Sequence, residues 1–380
     1  MQAILLAFAY RQQYHALKAA AAAGYSVHVL GQGCAWGLRF SRDCASYHPF
    51  KYDPLSQPLD SALAEITDWA QRLKADVILP SDIVSTRLLS ALAGRLPVKT
   101  CALPDPASFD MLNDKWRFYQ FCHEQGIRVP ETWLFQSKEE LKAAVSSGAV
   151  PFPFIIKPHN SMGSSGVCRI KDASSLALLE SVTYTPLLVQ RMIVGEEVDI
   201  SILANKGRVG AYAIQRNLPQ KYAFIRQDAL LDQAKRMAEA SQFHGIAHVD
   251  AMIETSTGDS YLIECNPRVW YSLFASTLAG INFVKLSLDP DSLQPDNPRC
   301  IVDKEVPVSW SKLDLIKGFM RGSLSEIELN VLKYNLTDPV GKRLSRIPMF
   351  DDMSLPSSSP GSVAHQMAAL DALSRLSEHK

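Results

Sequence analysis

The sequence predicts a two-part fold, α/β over its first hundred residues and α+β beyond them, on three observations. Strand-like apolar runs alternate with helical patterns near the start. Residues 154–166, FIIKPHNSMGSSG, read as a strand that ends on Lys157 and opens into a glycine- and serine-rich loop. Two short apolar runs flanking Gly258 read as a hairpin with an acid on each arm.

At 380 residues the chain is long enough for two or three domains. Hydrophobic residues make up 47% and charged residues 21%, the balance of a globular protein with a substantial core. Lysine plus arginine equals aspartate plus glutamate at 39 each, so no global field draws nucleic acid or an anionic membrane, and neither is expected as a partner. The cysteines (Cys34, Cys44, Cys101, Cys122, Cys168, Cys265, Cys300) show no CxxC spacing and read as reduced packing thiols, so a cytoplasmic location is expected. MQAILLAFAY lacks a basic leader and reads as a first strand, and no apolar run approaches the ~18–20 residues that cross a bilayer.

Residues 3–10 read as a strand, 12–23 as a helix stopped by Gly24, and 25–30 as a second strand, which makes a parallel βαβ unit. An amphipathic helix over 59–73 and a strand over 75–79 follow. Ligand contacts in such sheets come from loops past the strand carboxyl ends, so Asp82 is a candidate substrate contact, the alternative being a helix N-cap. No GxGxxG follows the first strand, and Gly31-Gln32-Gly33 reads as a turn after the second. Two prolines within 101–106 mark a boundary.

Residues 108–125 read as one helix carrying Lys115 and stopped by Gly126; a strand over 130–135, a helix over 138–146 and a strand over 152–157 lead to the loop. Such a loop can fold over polyphosphate, because glycine lets backbone N–H groups approach an anion, hydroxyls add donors and lysine supplies a compact charge; an ordinary connection is the alternative. A strand over 187–190 leads through Arg191, Ile193 and Glu197 into a strand over 198–203. The joint can pair its backbone with a purine edge and its acid with ribose hydroxyls, or it can be a plain bulge.

A strand over 207–213 and a helix over 228–243 precede the hairpin, whose arms are 248–253 and 261–263, followed by Glu264-Cys265-Asn266-Pro267-Arg268. Across paired strands Asp250 and Glu264 can face each other, with Asn266 on the same side. Two carboxylates and an amide oxygen make a hard-oxygen set suited to magnesium; Arg268 as their basic partner is the alternative. Beyond residue 300 a short helix over 310–319, a Pro/Ser-rich linker over 355–363 and an amphipathic helix over 364–376 are expected, the last packing on the body or on a partner chain.

This ordered set of lysines, loop, linker and acids resembles the ATP-grasp superfamily, and the MGSSG loop and the segment IECNPRVW are similar to those of carbamoyl phosphate synthetase large subunits and related carboligases. The resemblance implies a Rossmann-like domain over 1–104, two ATP-grasp lobes over 105–188 and 189–300, and a C-terminal extension over 301–380. It implies that Lys115 and Lys157 contact ATP phosphates, and that the loop with Ser161, Gly163, Ser164, Ser165 and Gly166 closes over them. Gln190, Arg191 and Ile193 would hold adenine and Glu197 the ribose. Asp250, Glu264 and Asn266 would hold magnesium, two ions in all, with manganese able to substitute. Arg268 would act with Lys157 in catalysis, and His159, Arg216 and Tyr271 join Asp82 as substrate candidates.

The implied activity is a carboxylate–amine ligase working through an acyl phosphate on small-molecule substrates, with a homodimer as the implied assembly. A carboxylate kinase, a carboxylase-like enzyme and a non-catalytic nucleotide-binding regulator are the alternatives. Two departures from the family pattern stand out: Gln190 lies where many members have glutamate, and His248 lies where peptide-forming ligases often carry arginine.

Overall fold

The computed structural model describes residues 1–159, 166–307, 312–344, 347–350, 354–357, 359 and 361–378. Parallel strands β1 (Gln2–Ala7), β2 (Ser26–Gly31), β3 (Cys44–Pro49), β4 (Val77–Pro80) and β5 (Lys99–Thr100) form a sheet ordered β3-β2-β1-β4-β5. Central β1 is covered on both faces, so alternation sends Ala3, Leu5 and Ala7 into one core and Ile4 and Leu6 into the other. Helix α1 (Arg11–Ala22) covers the first face, and α2 (Leu59–Leu73) with α3 (Ile83–Ala91) the second. This is the doubly wound arrangement expected; β3 and β5 escaped notice because one is polar and the other two residues long.

Asp82 is the N-cap of α3 and is fully buried. It accepts from the backbone N–H groups of Ser85 and Phe8, both at 2.7 Å, and from Gln13 Nε2 at 3.0 Å. One carboxylate thereby ties β1, α1 and α3 together.

Residues 108–125 form two helices and not the single one expected, α4 (Pro106–Asn113) and α5 (Lys115–Glu124). Asp114 between them takes an extended backbone (φ −78°, ψ 121°), and its side chain accepts from the N–H groups of Trp116 and Arg117. An aspartate that caps the backbone with its own side chain breaks a helix without disturbing the apolar period. Lys115 therefore becomes the first residue of a helix.

The second sheet is antiparallel, with β6 (Thr132–Phe135), β7 (Phe154–Pro158), β8 (Cys168–Ile170) and β9 (Leu187–Arg191) ordered β6-β9-β7-β8 and α6 (Lys138–Ser146) packed against it. The third sheet has seven strands: β10 (Gly195–Asn205), β11 (Arg208–Leu218), β12 (Lys221–Ile225), β13 (Gly245–Glu254), β14 (Ser260–Asn266), β15 (Arg299–Ile301) and β16 (Lys304–Pro307). Their order is β14-β13-β10-β11-β12-β16, with β15 beside β11. α4, α5 and α7 (Asp228–Ala240) bury its inner face.

Short helices α8 (Leu273–Leu278) and α9 (Phe283–Ser287) continue into the first core. Then come α10 (Lys312–Met320), α11 (Glu326–Thr337), α12 (Pro339–Leu344) and α13 (Val363–Glu378). The helix expected over 310–319 is α10, and Trp310 lies outside the described residues. α13 lays Ala369, Leu370 and Leu373 against α3, so the terminal helix packs on the body. Among the described residues no helix is long and apolar enough to cross a membrane.

Because three donors lose their acceptor together, Asp82→Ala should lower stability by about 2–3 kcal/mol, read from the urea midpoint. An unchanged midpoint would remove this account of the cap.

Candidate active site

A cavity of about 290 Å³ lies between the second and third sheets. β7 contributes Ile155 and Lys157, β9 Gln190 and Arg191, the linker after it Met192 and Ile193, and α5 Lys115. From the third sheet come Glu197, Asp250, Met252 and Glu264.

Alternation explains which side chains arrive there. Val198, Ile200 and Ile202 of β10 and Val249 and Ala251 of β13 enter the core beneath, which turns Glu197, Asp199 and Ser201, and His248, Asp250 and Met252, to the other face. Pairing sets Asp250 opposite both Glu264 and Asp199, and Asp199 opposite Gln215. One polar row thus crosses four strands. Two residues along, Ser201, His248 and Asn266 form a second row.

The electrostatics follow from placing acids side by side in a half-dry cleft. Burial, then the neighbouring charges of Glu264 and Asp199, push the Asp250 carboxyl well above the usual range, so it keeps its proton and donates it to Glu264. Burial opposes ionisation of Glu264 too, yet Lys115, Lys157 and the Asp250 hydrogen bond hold it at about 2. Lys115 Nζ lies 3.5 Å from Glu264 Oε2. Lys157 Nζ donates to Gln190 Oε1 at 3.0 Å, and Gln190 Nε2 donates to Thr132 Oγ1 at 3.0 Å. Burial lowers Lys157 to about 8 against the pull of Glu264, since the neutral amide beside it supplies no countercharge.

Of the residues singled out in the sequence, Lys115, Lys157, Gln190, Arg191, Ile193, Glu197, Asp250 and Glu264 line this one cavity. Asn266 stands two residues beyond Glu264, its Oδ1 accepting from Arg268 Nη2 at 2.7 Å, while Arg268 Nη1 donates to the Val269 carbonyl at 2.9 Å. Gly166 has φ +75° and its carbonyl accepts from Tyr184 Oη at 2.6 Å; Ser161, Gly163, Ser164 and Ser165 lie outside the described residues.

The four substrate candidates are not among the lining residues. His159 Nε2 is 2.9 Å from Asp114 Oδ1, Arg216 pairs with Glu196 at 2.7 Å, Tyr271 packs against Arg11 and His15, and Asp82 is the cap described above. Sequence reasoning passed over Asp199 and Ser201, although the alternation Val198-Asp199-Ile200-Ser201 carries the signal: a polar residue at every second place of an apolar strand faces a cleft or solvent.

Residues 112–272 match a family described as "ATP-grasp domain". The chain is 24% identical over 214 residues to the carbamoyl phosphate synthase arginine-specific large chain of Bacillus subtilis (strain 168), a match covering 50% of this chain and 20% of that protein. It thus spans about a fifth of the length of the curated relatives it matches. Among solved structures, L-amino acid ligase from Bacillus licheniformis is similar with TM-score 0.59 at 16% identity, covering 83% of this chain and 84% of that one. N5-carboxyaminoimidazole synthetase from Staphylococcus aureus complexed with ADP is similar with TM-score 0.62 at 17% identity, covering 84% and 86%. At such identities the likeness is one of fold: a Rossmann-like parallel sheet followed by the antiparallel sheets of the ATP-grasp lobes.

The shared proton makes a stability prediction for the metal-free protein at neutral pH. Asp250→Asn keeps a neutral donor to Glu264 and should shift stability by less than about 1 kcal/mol, whereas Glu264→Gln removes the negative charge facing Lys115 and Lys157 and should cost about 2–3 kcal/mol. Equal losses, measured by chemical denaturation with chelator present, would contradict the protonated Asp250.

Proposed function

We propose that this chain, which carries an ATP-grasp domain over residues 112–272, is an ATP-dependent ligase that joins a carboxylate to an amine through an acyl phosphate and releases ADP and phosphate. The observation that carries the reading is the convergence of Lys115 and Lys157 on Asp250 and Glu264 across one cavity between two sheets. Two cations and two acids at one end of a cleft suit a nucleotide's charged tail with its metal, and phosphoryl transfer needs little more than positioning and charge neutralisation.

The donor chemistry fits magnesium. Asp250 and Glu264 are hard-oxygen ligands whose burial and mutual repulsion hold a proton on Asp250, and a divalent cation would offset that repulsion in the proton's place. Asn266 offers the remaining lone pair of its amide oxygen. When bound, magnesium neutralises the phosphate oxygens during transfer. Lys115, at the start of α5, and Lys157, on the second sheet, grip the phosphates.

The linker takes the base. Arg191 and Met192 donate their backbone N–H groups to the carbonyls of Glu131 and Pro153, which leaves the purine edge to Ile193 and the linker carbonyls. The Arg191 side chain is engaged by Glu254 at 2.9 Å and lies over the Tyr261 ring, so its part is through the backbone alone. Glu197, one strand along from the acids, meets the ribose hydroxyls. Arg268, clamped by Asn266 and the Val269 carbonyl, holds its charge where the phosphoryl group leaves ADP for the substrate carboxylate; the amine then displaces phosphate from the acyl carbon.

An ADP-release screen over panels of carboxylates paired with amino acids and other amines tests the reading. Turnover should require both partners; full turnover with a carboxylate alone would point instead to a kinase. Glu264→Gln should lower turnover about 10²–10³-fold, and Arg268→Ala should lower kcat more than ATP affinity. An Arg268 effect confined to affinity would make it only a nucleotide contact.

Lys157 sets a pH dependence. Its ammonium is charged below about 8 and loses its proton above, so the ATP affinity of the free protein should fall as pH rises from 8 to 9.5, by up to about tenfold per unit. Lys157→Ala should bind about tenfold or more weakly at pH 7 and flatten that profile. Calorimetry giving the wild type a flat profile would separate Lys157 from the phosphates.

A further inference from the structure

We propose that Asp199, His248 and Asp250 form a second cation site, selective for a borderline divalent ion such as zinc or cobalt(II), that shares Asp250 with the nucleotide-metal site and requires neither nucleotide nor Glu264. The three side chains come from adjacent strands and each offers one donor atom, all within 4.8 Å of one another. His248 Nε2 lies 3.5 Å from Asp199 Oδ2 and 3.8 Å from Asp250 Oδ1. Those separations are long for direct hydrogen bonds. These two separations approach what an ion imposes: ligands about 2.0–2.2 Å from a tetrahedral centre stand ~3.3–3.6 Å apart.

The surroundings have the form of a ligand-orienting outer layer. His248 Nδ1 is bonded to Ser201 Oγ at 2.9 Å, which leaves Nε2 turned toward the two carboxylates. The ring lies against Trp270, centroids 5.4 Å apart and planes 8° off parallel, so it has little freedom to swing. Asp199 accepts, on the same Oδ2 that faces His248, from Asn217 Nδ2 at 2.6 Å and from Gln215 Nε2 at 3.3 Å, and Gln215 is in turn held by Ser272 Oγ at 3.1 Å. Asp250 lines the cavity and gives the ion its way in. An imidazole with two carboxylates favours zinc-like ions over magnesium, which prefers oxygen alone, and three protein ligands leave a position for water.

Cobalt(II) added to the chelator-treated full-length chain is the probe, with visible absorption as the readout, since a four-coordinate cobalt centre absorbs far more strongly than the octahedral aquo ion. The expected result is a single equivalent bound with an intense band that survives millimolar magnesium and the Glu264→Gln change. His248→Ala should abolish the band and Asp199→Asn should weaken binding at least tenfold. Ser201→Ala keeps all three ligands but removes the partner that fixes Nδ1, and should weaken cobalt about tenfold; it keeps the test decisive where the His248 variant does not fold. No intense band, or a band that magnesium or Glu264→Gln removes, would overturn the proposal. None of these outcomes depends on ligase turnover, so the two readings fail independently.

Discussion

The constraint on which the site depends is the crowding of three carboxylates, Asp199, Asp250 and Glu264, into one row across three adjacent strands. Like charges facing each other in a half-buried cleft cannot all ionise unless cations come to them. Each acid has found a different remedy. Glu264 has two lysines, one at a helix start and one on the facing sheet; Asp250 keeps its proton; Asp199 takes neutral amide donors and an imidazole. Of the two lysines, Lys157 lies on the sheet facing the acids, so its attraction to Glu264 spans the cavity.

What the sequence made legible is what local patterns encode. The apolar run of β1, the strand that carries Lys157 near its end and the hairpin around Gly258 are short-range signals, and each is found in the structure. Asp250 and Glu264 could be placed face to face because a single hairpin joins them. Asp199 could not be placed beside Asp250, since β10 and β13 are separated by β11, β12 and α7 and their register is a tertiary fact. The break at Asp114 hid for another reason: a capping side chain outweighs the helical pattern around it, and periodicity does not register capping. Strands β12, β15 and β16 are short edge or near-edge elements with mixed polarity, so their signal falls below that of a turn.

Gln190 shows how one uncharged side chain sets the tone of a site. Its amide joins Lys157 to Thr132 across β6, β9 and β7, and so fixes the lysine without neutralising it. A carboxylate in that place would raise the lysine's proton affinity and compete for it. With the amide, the ammonium stays poised, its charge balanced chiefly by Glu264 on the opposite sheet, and an incoming polyanion meets a cation that Gln190 holds in place without neutralising it.

The first sheet contributes to this chemistry without reaching the cavity. Gln12, in the opening turn of α1, donates to the Val269 carbonyl, the same carbonyl that accepts from Arg268 Nη1. Arg11 lies over the Tyr271 ring and His15 meets its edge, so the segment after Arg268 is gripped on both sides by α1. Asn282, the cap of α9, donates to the Ala19 carbonyl further along the same helix at 2.7 Å. α1 is therefore the splint that holds residues 268–282 against the end of β14. Because Arg268 is clamped through that segment, its position is set by the docking of the parallel sheet as much as by the strand that carries Glu264.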